Sequence, residues 1–235
     1  MVLGELTHDT LGRVVVTMRR NSTHASARWR GGVVRLNVPS GIGGSRIVSI
    51  LDELAPRLLA ARPEVSYAEG QVLAFPGITV EICRQRLVPD KVVGRASLPV
   101  STVGVGSALD FDLSSTTRAI SDMLLGIARR VAADVLLPDA RTCADRLGKH
   151  PTGWAISTGH RVLGVCDSRG TVSLSYILVF LPAELREYVI CHELAHLSEL
   201  NHSPRFHALL DGYLGGREAI LSARLKSYRW PVFCR

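Results

Sequence analysis

The sequence predicts an α+β protein in two parts. Residues 1–113 read as a β-rich part with one helix, and residues 114–235 as a mixed α/β part that holds the chemistry. Three observations predict this. Short β-branched runs punctuated by Gly and Pro fill the first half. Helical periodicity takes over at Ser114. A second strong helix, rich in histidine at its end, follows Pro182.

The elements follow in order. Arg13 to Met18 is a short β-branched run. His24 to Trp29 and Val33 to Val38 read as two arms of a hairpin turning at Gly31-Gly32 and closing at Pro39. Ser45 to Arg62 places Ile47, Ile50, Leu51, Leu54, Leu58 and Leu59 on one helical face, with Pro56 as a potential kink. Ile78 to Arg86 and Ala96 to Leu113 return to strand character. Ser114-Ser115 can cap a helix running to about Leu136, with Ile120, Met123, Leu124, Ile127, Val131 and Val135 as its apolar stripe and Pro138 as its stop. A short helix to about Leu147 comes next. Strands Arg161 to Cys166 and Thr171 to Ser175 follow, joined by the turn-forming Asp167-Ser168-Arg169-Gly170. The helix after Pro182 runs from Ala183 to about Glu199.

Composition excludes several classes. The chain has 235 residues, 46% apolar and 21% charged, which is ordinary for a globular protein and unlike a disordered chain, a collagen or a coiled coil. The apolar stretch Tyr176 to Ala183 is far short of the roughly 20 residues a membrane span needs. Met1 to Thr10 contains Glu5 and Asp9 and no apolar core, so no membrane association and a cytoplasmic location are expected. Five scattered cysteines with no CxxC pair argue against a disulfide framework. The net charge of +7 suits acidic partners, nucleic acid included, but its arginines are spread and no nucleic-acid motif accompanies them. There is no GxSxG, Walker loop or GxGxxG fingerprint.

The chemistry is concentrated in one run. His192-Glu193-Leu194-Ala195-His196 is HExxH on a predicted helix. Residues four apart differ by about 40° in azimuth, so both imidazoles share a face and can bind one metal ion. Glu193, about 100° round the helix, can reach a water on that ion without being a ligand. His202 is the expected third ligand. In an unbroken helix it would lie about 120° from His196, so the chain must turn first. Pro204 disfavours helix at Ser203, Ser203-Pro204 reads as N-cap and N1 of a new helix through Phe206, Leu209, Leu210 and Leu214, and Asn201 suits a left-handed helix stop. Three neutral imidazoles and an open position describe a catalytic zinc site with one ion, and other divalent transition metals also accept such ligands. Glu218 and His207 compete as third ligand and rank below His202. Cys191 and Cys166 read as buried apolar residues and not as ligands.

The run Tyr188-Val189-Ile190-Cys191-His192-Glu193-Leu194-Ala195-His196, followed by Asn201-His202-Ser203-Pro204-Arg205-Phe206, resembles the YgjP-like metallopeptidases, a zincin-like group of metal-dependent hydrolases. The likeness extends upstream to Gly164, Cys166 and Thr171 to Ser175, and as a looser pattern to Arg28-Trp29 and Val33 to Pro39. It implies a zincin-like catalytic part, His192, His196 and His202 as metal ligands, and Glu193 as general base. Two positions depart from the family pattern. Leu163-Gly164-Val165-Cys166 stands where Trp-Gly-Ser-Cys is usual, and His207 stands where a Trp is usual.

The activity expected from these residues is zinc-dependent hydrolysis of peptide-like bonds in a peptide or protein substrate, with Thr171 to Ser175 as the edge strand that holds it. The alternative keeps the metal and directs the water at phosphorus in a nucleotide or other phosphoanhydride.

Overall fold

The computed structural model describes residues 2–19, 22–30, 33–61 and 65–233. They form two compact units, one of residues 1–68 with 110–117 and one of residues 69–109 with 118–235. The soft boundary read near residue 113 falls inside the segment 110–117.

In the first unit, strands β1 (Val2–His8), β2 (Gly12–Arg19), β3 (Ser26–Arg30) and β4 (Val33–Pro39) form a sheet in the order β1-β2-β4-β3. The central pair β2·β4 is parallel and the outer pairs are antiparallel. Val14 and Val16 on β2, with Val34, Leu36 and Val38 on β4, alternate into one face. Helix α1 (Gly44–Ala60) covers that face with Ile47, Ile50, Leu51, Ala55 and Leu58. Leu59, expected on the apolar stripe, is 42% exposed, and Ala55 takes a buried place in its stead. Pro56 is accommodated inside the helix. The β3–β4 hairpin forms as expected, and its Gly31-Gly32 turn lies outside the described residues.

The second unit begins with β5 (Val72–Phe75), β6 (Ile78–Gln85), β7 (Val92–Arg95) and β8 (Val100–Gly106), ordered β5-β6-β8-β7, again with a parallel central pair. Ile78, Val80 and Ile82 alternate inward from β6, and Val103 and Val105 from β8. Helix α2 (Ser114–Arg146) follows. A Cβ at Gly77 would come 3.2 Å from Val135 Cγ1, and Met123 fills the space a side chain at Gly94 would need, so α2 packs close on this sheet. The helix does not stop at Pro138 as expected. Ala140 and Ala144, two and six residues beyond it, are buried, and this packing outweighs the single hydrogen bond that proline removes.

The remaining strands are β9 (Gly153–Ser157), β10 (Gly164–Cys166) and β11 (Thr171–Ser175), ordered β10-β11-β9. The strand expected from Arg161 is only three residues long, and β1, β5, β7 and β9 were not anticipated. Asp167 Oδ1 accepts from the Arg169 and Thr171 amides, and Gly170 takes φ 80°, which closes the β10–β11 turn as its residues predict. A buried 3-10 segment, Tyr176–Phe180, leads to α3 (Ala183–Ala195), α4 (Pro204–Tyr213) and α5 (Glu218–Lys226). Among the described residues, no helix is long and apolar enough to cross a membrane. The chain is thus α+β, with β-sheet leading and the histidine helix in the mixed part that follows.

Candidate metal centre

Helix α3 has no internal Gly or Pro, follows Pro182 at its N-cap, and carries Glu184 in its first turn, where a carboxylate favours the helix dipole. Leu185, Val189, Ile190, Cys191 and Leu194 bury its inner face. Arg186 anchors it. This side chain is 1% exposed, yet its guanidinium pairs with Asp139 of α2 at 2.7 Å and donates to the carbonyls of Pro76 (3.1 Å), Leu178 (3.3 Å) and Val179 (3.1 Å). Burial pulls its pKa down and Asp139 holds it up, so the charge is retained by fixed partners.

The helix ends at Ala195, four residues earlier than expected, and hydrogen bonds from the Ser198 and Glu199 amides to Ala195 O turn the chain. No described non-glycine residue has a positive φ, so Asn201 does not supply a left-handed stop; its carbonyl accepts from Ser203 N at 2.7 Å instead. Ser203 then caps α4, its hydroxyl accepting from Phe206 N, with Pro204 at N1.

This turn brings His202 back to α3. Ring centroids are 5.0 Å apart for His192–His196, 5.0 Å for His192–His202 and 4.7 Å for His196–His202. One ring nitrogen from each lies within 4.8 Å of the others. His202 Nε2 faces His192 Nε2 at 2.9 Å. The Phe206 ring packs on all three, 4.6–4.9 Å between centroids. His196 Nδ1 meets the Glu199 carbonyl at 3.1 Å, which fixes that ring and leaves Nε2 as its free donor. Burial, then the neighbouring imidazoles, push the His192 pKa down to about 4, so this ring is neutral near pH 7 as ligation requires. Burial lowers His196 as well. A tetrahedral zinc with Zn–N bonds of about 2.0–2.1 Å holds its ligand nitrogens roughly 3.3 Å apart, and the donor set and scale of this cluster fit such an ion.

Glu193 lies beside the cluster, 5% exposed. Burial raises its pKa to about 7, opposed by a hydrogen bond from the Cys166 amide. Strand β10 passes so close that a Cβ at Gly164 would fall 2.5 Å from Glu193 Cγ and 2.6 Å from Oε1. Cys166 is therefore half-buried beside the carboxylate and not a core residue. Neither Gly164 nor the Cys166 amide was assigned a role from sequence, because the relevant features are an absent side chain and a backbone N–H. The edge strand is also corrected: β11 lies between β9 and β10, so β10 is the edge beside α3. The two rivals of His202 pair with each other, His207 Nδ1 to Glu218 Oε1 at 2.6 Å.

Residues 24–228 match the family described as YgjP-like, metallopeptidase domain, and the chain belongs to this metallopeptidase family. Among solved structures, the metallopeptidase zymogen abylysin of Pyrococcus abyssi is similar at 23% identity over 39% of this chain and 92% of that one, with a TM-score of 0.35. No curated protein matches the chain.

Proposed function

We propose that the chain is a zinc peptidase in which His192, His196 and His202 hold one ion and Glu193 is the general base. The observation that carries this reading is the convergence of three imidazoles beside one buried carboxylate. When bound, the ion supplies Lewis acidity: it brings the pKa of a water from about 15.7 towards 7 and polarises a carbonyl. Glu193 accepts the proton at its carboxylate and returns it to the leaving amine. In the metal-free chain burial raises the Glu193 pKa to about 7, and a base near neutrality exchanges protons in both directions. The Cys166 amide holds the carboxylate in place.

The outer edge of β10 is the substrate cradle at Gly164, its Cys166 amide being already bonded to Glu193. Leu163 O and Asp167 N bond to β11, so by antiparallel alternation the backbone groups of Gly164 face the other way. An extended peptide adds there as a further strand.

The test is metal content and cleavage of casein and short peptides, before and after chelation, with a Glu193→Gln variant alongside. That variant keeps the metal and loses cleavage by about 10²–10⁴-fold. Cleavage retained with the metal bound would place the base elsewhere. Nucleoside triphosphates form the counter-panel, and phosphate release without peptide cleavage would replace this reading.

A further inference from the structure

A second cluster joins α2 to α3 on a different face of α3 from His192 and His196. Cys143 on α2 is half-buried, and Cys191 on α3 is buried. Their sulfurs and a Glu187 carboxylate oxygen all lie within 4.8 Å of one another. Arg146 binds both ends of the cluster, Nη2 lying 2.6 Å from Glu187 Oε1 and 3.7 Å from Cys191 Sγ.

Two thiols and a carboxylate resemble the donor set of a soft cation. The guanidinium argues against that occupant, because it places a fixed positive charge on two of the three donors. The same charge favours thiol chemistry, since a thiolate beside an arginine is stabilised. The hydrogen bond from Cys191 and the nearby Arg146 hold the Cys143 thiol below its ordinary range, against the burial that raises it. Exposure orders the two sulfurs: an oxidant reaches Cys143 first, and Cys191 is the partner within.

We infer that Cys143 and Cys191 form an oxidation site for a hydroperoxide, closing to a disulfide that ties α2 to α3. In the first step the Cys143 thiolate attacks the peroxide, a S–O bond forms, the O–O bond breaks, and the departing oxygen leaves as water or an alcohol after taking a proton. In the second, the Cys191 sulfur attacks the resulting sulfenic acid. The S–S bond forms, the S–O bond breaks, and hydroxide leaves as water with the proton of Cys191. In sum, two thiols lose two electrons and two protons to one hydroperoxide. The S–S distance must close to about 2.05 Å, so the two helices draw together at the residue preceding His192. An effect on the ligand cluster rests on the metal-site reading above; the disulfide does not.

Hydrogen peroxide titration of the reduced full chain, read by peptide mass mapping, tests this. The expected product is a Cys143–Cys191 cross-linked peptide pair, lighter by two hydrogens and restored by dithiothreitol. Cys143→Ser should leave Cys191 unoxidised at peroxide doses that cross-link the wild type. Cys191→Ala should stop at a sulfenic acid on Cys143 that dimedone traps. Because position 191 is buried, Cys143→Ser is the deciding variant should Cys191→Ala misfold. Oxidation falling on Cys83 or Cys166 with no such cross-link would overturn the inference. So would a zinc equivalent that Cys143→Ser loses and His192→Ala retains, since the cluster would then be a metal site. The mapping needs no peptidase activity, so its outcome stays separate from that of the proposed function.

Discussion

The two four-stranded sheets share one topology. In each, a hairpin strand leads into a parallel central pair, the third strand in sequence takes the far edge, and a helix follows. No repeat is visible in the sequence between them. The first sheet and α1 enclose a core of aliphatic side chains that is complete within its unit. The second sheet is built closer to its helix, with glycines at Gly77 and Gly94 where α2 approaches. Its helix also continues past Pro138 to carry Asp139, the partner of Arg186, and Cys143. The same arrangement thus serves once as a self-contained layer and once as the platform that fixes α3. What separates them is a long helix and one buried guanidinium.

Arg186→Met gives the largest expected change. It leaves Asp139 and three backbone carbonyls without their donor, and removing one partner of a buried pair costs about 3–5 kcal/mol; Asp139 is half exposed, so the low end applies. Urea denaturation measures it, and zinc affinity should fall with it because α3 loses its anchor. Unchanged stability would break the contrast between the two layers. Leu51→Ala in the first unit is the matching lesion. Leu51 is fully buried, and the cost is about 2–5 kcal/mol. Here the expected outcome is lost stability with metal content unchanged, since every histidine of the cluster belongs to the second unit.

The contrast also explains what the sequence made legible. HExxH, the helix break and the new helix at Ser203-Pro204 depend on residue spacing and local backbone preference, which a linear reading captures. The left-handed Asn201 was wrong in detail because a backbone hydrogen bond from Ser203 turns the chain there. Strands β5, β7 and β9 are short and interrupted by small residues, and pairing, not propensity, makes them strands. The run through Pro138 and the burial of Arg186 were illegible for a related reason: each breaks a local rule and is repaid by contacts far away in sequence.

Gly164→Ala tests how closely the second unit is fitted around its carboxylate. The new methyl would overlap Glu193 and force it or β10 to move. Overpacking of this kind costs roughly 1–3 kcal/mol, here appearing mainly as a fall in kcat of about ten- to a hundredfold with zinc retained. A fall in zinc content instead would mean that β10 supports the ligands and not the base.

The smallest effect is a pH dependence of the metal-free protein. His192 titrates near 4 when folded and near 6.5 when free. Below 6.5 the unfolded chain therefore takes up a proton that the folded chain refuses, so this group lowers stability as pH falls from about 6.5 to 4. His196 acts in the same direction. Glu193 acts in the opposite one. Its folded pKa of about 7 lies above the free value of 4.5, so the folded chain takes up its proton first, and stability rises as pH falls from about 7 to 4.5. The opposing terms leave the wild type with a shallow profile. Glu193→Gln removes the rising term alone, and its melting temperature should drop more steeply than that of the wild type between pH 7 and 4.5. Parallel profiles would show that the carboxyl is not held near neutrality, and the proton exchange proposed for Glu193 would lose its support.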